Sequence, residues 1–303
     1  MKKILFTCFI YITLAIQPSQ ASDKYWVCDD DSWDNSACWN PVEQPEDGDD
    51  VYLSYSDLEE RVVNYANSIF PVPELNSLTI DNIGGGSVTL IEDQDTLASS
   101  VEYIGYDGSG IFSQAGCENI VNDLYLGYQE TGDGTYNLSD AGGLRANNEI
   151  ISRLGTGTFN QSGGTNEANY IAISKCDGAE CGSGTYNLSG GSLSVTNMDV
   201  ASSGSFGYEG VGVFNQSGGR VTVSDRLNLA DSRGASGTYN ISAGTLEAGE
   251  LGVWDVDQTG ITGVFNQTGG TVATNRVVST FDNFTYNLED GSLTTDVIDP
   301  VSY

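Results

Sequence analysis

The octapeptide Gly-Val-Phe-Asn-Gln-Ser-Gly-Gly at residues 212–219 recurs, with small changes, along most of the chain. GTFNQSGG starts at Gly157, GTYNLSGG at Gly184 and GVFNQTGG at Gly263, and looser copies surround Phe112, Tyr136, Tyr239 and Tyr286. The aromatic returns at intervals of about two dozen residues, the period of a stacked repeat architecture. No other feature restricts the fold as tightly. Each unit must bury its apolar face against the units before and after it.

A second layer lies within the repeat. The aromatic alternates Phe, Tyr, Phe, Tyr through all eight copies. The residue two positions on alternates in step, reading Gln114, Leu138, Gln161, Leu188, Gln216, Ile241, Gln267, Leu288. The duplicated unit is therefore a pair of coils.

Between the glycines, short segments alternate polar and apolar residues, for example Leu193-Ser-Val195, Val221-Thr-Val223 and Leu227-Asn-Leu229. Period-two alternation bounded by Gly, Asn, Asp and Ser predicts strands and turns, and no stretch beyond the first 21 residues carries helical periodicity. Three short strands in about 25 residues make one turn of an all-β, right-handed parallel β-helix (a β-solenoid). About ten coils stacked at ~4.8 Å give a rod on the order of 50 Å long. The expected ladder runs through Phe159, Asn160, Tyr186, Asn187, Phe214, Asn215, Tyr239, Asn240, Phe265 and Asn266, with Ser113 the one departure from Asn in its column. Two orientations are compatible with the pattern. Aromatics facing inward would form a core stack and bury Gln beside Leu; asparagines facing inward would leave an aromatic stripe outside. Burial of eight rings contributes roughly 1.5–3 kcal/mol each and favours the first.

Residues 1–21 have a charged start, a short apolar run and a small residue at Ala21, the pattern of a secretory signal peptide. The run is too short to cross a bilayer, and no later segment is apolar enough. Residues 22–50 hold Trp26, Trp33 and Trp39, which read as a Trp-rich N-terminal cap over the end of the stack or, alternatively, as a carbohydrate-binding lid. The repeat domain then occupies residues 51–303.

The chain carries 42 acidic and 11 basic residues, for a net charge of −31; loss of Lys2 and Lys3 with the signal peptide lowers this by two, to −33. Such a surface excludes nucleic acid and anionic lipid as general partners. In an oxidising compartment Cys28–Cys38 and Cys176–Cys181 are expected disulfides. Cys117 is left over, as a buried small apolar residue or as a pairing site between molecules.

The GTYNLSGG/GTFNQSGG alternation, with short strands such as Leu124-Tyr-Leu-Gly127 before it, resembles the β-helical repeats of bacterial PEP-CTERM-sorted and autotransporter-associated exported proteins. The opening Trp26…Trp33…Trp39…Pro45…Asp49-Asp50-Val51 is similar to the Trp-rich segment that often precedes those repeats. The resemblance implies a secreted or cell-surface bacterial protein of structural character. The Pro-Glu-Pro sorting motif, apolar helix and translocator barrel of those families are absent from the final residues.

Candidate chemistry is sparse. The chain has no histidine, so serine–histidine and cysteine–histidine nucleophiles are excluded in their usual form. No lysine–arginine–carboxylate group suited to a polysaccharide lyase or hydrolase stands out, and no cofactor motif is present. The acidic turn at Asp47, Asp49 and Asp50 is a candidate structural calcium site through oxygen ligands. The expected function is an exported structural or adhesive solenoid, not an enzyme; the alternatives are a polysaccharide-binding surface protein reading glycans along an exposed aromatic stripe and, behind it, a β-helical polysaccharide lyase or hydrolase. Its expected partners are extracellular polysaccharide or cell-surface components, and its C-terminal end is a candidate surface for self-assembly.

Overall fold

The computed structural model describes residues 21–66, 71–176, 181–202, 210–231, 233–254, 260–280 and 283–301. The signal peptide expected over residues 1–21 lies, apart from Ala21, outside them. The chain folds as an all-β solenoid of about ten parallel coils in one continuous hydrogen-bonded stack.

Each repeat coil supplies a six-residue strand and a longer one. Asp133–Leu138 is followed by Gly143–Ile150, Thr156–Gln161 by Thr165–Lys175, and Ser183–Leu188 by Ser192–Ser202. Short strands pair in register only with short strands of neighbouring coils, so Tyr136 lies opposite Phe112 and Phe159. Long strands pair likewise with long strands. The third strand expected from Leu227-Asn-Leu229 is the far half of Arg220–Ala230. Pairing is interrupted between Val223 and Arg226, where that strand bends, so three sequence segments become two strands.

The glycines of the octapeptide serve two purposes. The first, as at Gly184, lies so close to the end of its own coil's approach that a Cβ would sit 1.6 Å from the carbonyl oxygen of Ile173. The last, as at Gly191, turns the corner at φ +78°, in the left-handed region that glycine adopts without penalty.

Alternation along the short strand sends the aromatics inward. Phe112, Tyr136, Phe159, Tyr186, Phe214, Tyr239 and Phe265 are fully buried. Their rings stack face to face through the rod, 4.5–5.0 Å apart from Phe112 to Phe265, and Tyr286 closes the column 4.7 Å from Phe265.

The Trp-rich segment covers the N-terminal end by joining the stack. Asp23–Trp26 pairs in parallel with Asp50–Tyr55, and Asp31–Ser32 with Glu60–Tyr65. Trp39 is buried edge-on between Trp26 and Trp33, at 5.1 and 4.8 Å, and donates its indole N–H to the Trp33 carbonyl at 2.8 Å. The Cys28–Cys38 disulfide ties this segment together. A sugar-binding lid built on these tryptophans is thereby ruled out, because all three ring systems are consumed in the core.

Candidate functional site

With the aromatics inside, the alternate residues of each short strand form an outer face. The asparagines predicted to stack do so. Asn160 donates from Nδ2 to Asn137 Oδ1 at 3.0 Å, Asn187 to Asn160 at 2.9 Å, Asn215 to Asn187 at 3.0 Å, Asn240 to Asn215 at 2.9 Å, and both Asn266 to Asn240 and Asn287 to Asn266 at 2.8 Å. Asn137 begins the column on the Ser113 hydroxyl at 3.3 Å. Each internal amide spends one N–H and one lone pair on the ladder and keeps another of each. Two residues before every asparagine stands a Thr or Val, namely Thr135, Thr158, Thr185, Val213, Thr238, Val264 and Thr285. Asp133 is the single charged residue among the outward positions of the short strands from Ser109 to Asn287.

The interior explains the two-coil alternation. Each tyrosine hydroxyl donates to the glutamine of the preceding coil: Tyr136 to Gln114, Tyr186 to Gln161 and Tyr239 to Gln216, all at 2.7 Å, and Tyr286 to Gln267 at 2.6 Å. The glutamine Nε2 then donates to a backbone carbonyl of the tyrosine's own coil, at Gly143, Ser192, Thr245 and Ser292, over 2.8–3.0 Å. A Phe–Gln coil thus needs a Tyr–Leu coil above it. Burying Gln without such partners would cost several hydrogen bonds.

Two buried carboxyls extend this chain, which sequence reading did not find. Asn119 donates to Glu102 at 2.9 Å and to the Tyr136 hydroxyl at 3.2 Å; Asn166 donates to Glu149 at 3.1 Å and to the Tyr186 hydroxyl at 3.2 Å. Burial pushes Glu102 up to about 7 against the opposing bonds from Asn119 and Ser99, and Glu149 up to about 8 against Asn166. Glu92, buried at the position that glutamine fills in the next coil, is pushed up to about 8 for the same reason. The available signal was a charged residue at an apolar position of an alternating strand, as in Tyr103 preceded by Glu102 and followed by Ile104.

The bent long strands face solvent through a shallow groove. Three adjoining hollows of about 630, 490 and 370 Å³ follow one another along it; the first two share Arg145, and the last two share Ser224. Its arginines are paired with neighbouring carboxylates. Arg145 lies 3.4 Å from Glu118 and 3.8 Å from Glu167, and Arg220 lies 2.7 Å from Glu247. A second row alternates Arg226, Glu250, Arg276 and Asp299 at 3.8, 3.3 and 2.5 Å. At the corner of the early coils Tyr103 stacks on Tyr125 and Tyr106 on Tyr128, at 5.5 and 5.0 Å, with Arg153 over the Tyr128 ring. These rings occupy each other's faces.

The predicted acidic turn is drawn into local bonding. Asp47 accepts the Glu74 N–H at 2.8 Å, Asp49 accepts those of Ser22 and Glu46 at 2.8 Å, and Asp50 accepts the Asn76 amide at 2.7 Å. Among the described residues one group of three metal-ligating side chains lies close together, Cys28, Asp31 and Cys38, and its two sulfurs form the disulfide. Cys176 and Cys181 are also bonded. Cys117 is exposed, not buried, with its thiol 2.8 Å from the Gln94 carbonyl. It sits at a tight corner with φ +21°, which turns its side chain away from the core.

The two ends of the stack differ. Around the last described coil Leu288 and Ile298 are 52 and 65 % exposed, and a hollow of about 320 Å³ opens between Phe284, Tyr286, Leu293 and Ile298. Among the described residues no helix is long and apolar enough to cross a membrane. No family model, curated protein or solved structure matches the chain.

Proposed function

We propose that the chain is an exported structural or adhesive solenoid that works at the cell surface or in the extracellular matrix of a bacterium. The observation that carries this reading is the outer face of the short strands, where a Thr or Val two residues before an Asn repeats in register over seven coils. A surface that repeats with the coils makes many equivalent weak contacts, and their sum depends on how many coils engage at once. Two disulfides suit an oxidising compartment, as export requires. The arginines of the groove are paired with neighbouring carboxylates, an arrangement that suits a shaped surface. The test is binding of the purified chain to intact cells, matrix fractions and a polysaccharide array, with product analysis. Retention without release of fragments is expected; release of soluble sugars, or no retention anywhere, overturns the reading.

The open end of the last described coil is the surface we propose for self-assembly. Its apolar side chains and its strand edge invite pairing, and Glu289, Asp290 and Asp296 around it oppose contact until a divalent cation screens them. Light scattering is expected to show larger species with calcium than without. A single size under both conditions overturns it.

A further inference from the structure

The outer face of the short strands is regular in register as well as repetitive. From Phe112 to Phe265 successive core rings lie within 3–10° of parallel. The strands that carry these rings pair residue for residue, with no break in register from Ser109 to Gln267. The outward side chains therefore form a regular lattice, ~4.8 Å from coil to coil and ~6.7 Å between alternate residues of a strand. It is also neutral. In a chain of net charge −31, only Asp133 interrupts it.

These properties select a partner. It must be uncharged and periodic, able both to donate and to accept hydrogen bonds, and compatible with close-set methyl groups. A second copy of this face fits poorly, because both chains are polyanions and the ~700 Å² lattice falls short of the ~800 Å² per partner typical of stable complexes. A soluble sugar fits poorly too. Sugar rings pack their apolar sides on aromatic faces, and this face has none. Ordered water has all the required properties. The exchange of Thr for Val at 213 and 264 keeps shape and methyl while dropping a hydroxyl, as a partner held by surface fit with scattered hydrogen bonds tolerates. The groups are already fixed, the asparagines by their ladder and the threonines by branching at Cβ, so ordering costs on contact are small.

We propose that the outer face of the short strands, centred on Thr158, Thr185, Val213 and Thr238, binds the surface of ice. The inference rests on the reading of the repeated face as the working surface and names what that surface holds.

The test is partition of the full chain, purified after export, into a slowly growing ice front, together with microscopy of ice crystals in its solution. Enrichment of about tenfold over an acidic protein of similar size, with shaped crystals, is expected, corresponding to ~1.4 kcal/mol. Thr185→Lys places a long charged side chain at the centre of the lattice and should abolish enrichment at an unchanged melting temperature. Thr185→Val, and Thr222→Lys in the groove, should retain it. If Thr185→Lys does not fold, Thr238→Tyr serves as the obstructing change. No enrichment of the wild type, or equal enrichment of a folded obstructed variant, overturns the proposal. Retention on cells or insoluble glycan that the obstructed variant loses, without ice binding, overturns it and leaves the adhesive reading standing. Ice binding without retention on cells, matrix or glycan does the reverse.

Discussion

The coils around Tyr136 and Tyr186 and those around Tyr239 and Tyr286 share one backbone plan but bury different chemistry. In the earlier pair each tyrosine hydroxyl receives an asparagine amide that is itself held by a buried glutamate. Further along, the column of Asn119 and Asn166 becomes Val221 and Val272, and the column of Glu102 and Glu149 becomes Met198 and Leu251. The Tyr–Gln bond persists throughout. That bond is therefore what the alternation preserves, and the glutamate and asparagine are additions the coil can form without. Buried charge-capable groups of this kind commonly cost stability relative to well-packed apolar residues.

The largest effect we expect comes from breaking what both halves share. Phe159→Ala opens a cavity in the middle of the ring stack and should destabilise by ~3–5 kcal/mol. Urea unfolding should show the loss, and Phe214→Ala should match it within the later half. A loss below ~1 kcal/mol would show that the stack collapses easily around a gap.

Converting the earlier half into the later one should stabilise it. The double change Glu149→Met and Asn166→Val copies Met198 and Val221 and leaves Tyr186 bonded to Gln161. A gain of ~1–3 kcal/mol at mildly alkaline pH is expected from removing the buried carboxyl and the half-satisfied amide together. Destabilisation would mean that the network contributes more than the burial costs.

The hydroxyl itself separates the halves by a smaller margin. Tyr186→Phe strips a partner from both Gln161 and Asn166, whereas Tyr239→Phe leaves only Gln216 short. Losses of ~2 and ~1 kcal/mol respectively are expected, read from the two unfolding midpoints. Equal losses would erase the distinction.

Stability should also fall with pH, and the sign follows from the carboxyls. Glu102 and Glu149 are raised from the ordinary 4.5 to about 7 and about 8, so the folded state holds protons that the unfolded state releases. Their contribution is complete below about pH 4.5 and is lost as pH rises through 7 and then 8. Melting temperatures should decline over that window in the wild type and less steeply in the double variant. The smallest effect belongs to the surface. Arg276→Ala removes ion pairs with Glu250 and Asp299 and should cost less than ~1 kcal/mol, shrinking further in salt.

Much of this was legible in the sequence because a repeat reports on itself. An asparagine at one offset in seven copies can stack only on its counterparts, and the Asn137–Asn287 ladder follows from spacing alone. The Phe–Gln and Tyr–Leu pairing was equally visible, but its reason was not. Tyr186 meets Gln161 across the gap between coils, where side chains 25 residues apart come within 2.7 Å. The same applies to Glu149, whose neighbours Asn166 and Tyr186 belong to the next two coils. Of the two fates open to Cys117, burial is the one the structure removes, because the corner at φ +21° overrides the ordinary inward turn of an apolar side chain.

The sequence by itself determined the period, the coil, the strand register, the disulfide pairs and the covering of the N-terminal end by tryptophan. All of these follow from local patterns repeated at fixed separation. Only the tertiary structure decided which side of the strand faces inward, because that choice depends on whether buried glutamines find partners in the next coil. It also decided the outer surface. A regular, neutral lattice exists only once the coils are stacked in register, and no single copy of the octapeptide contains it.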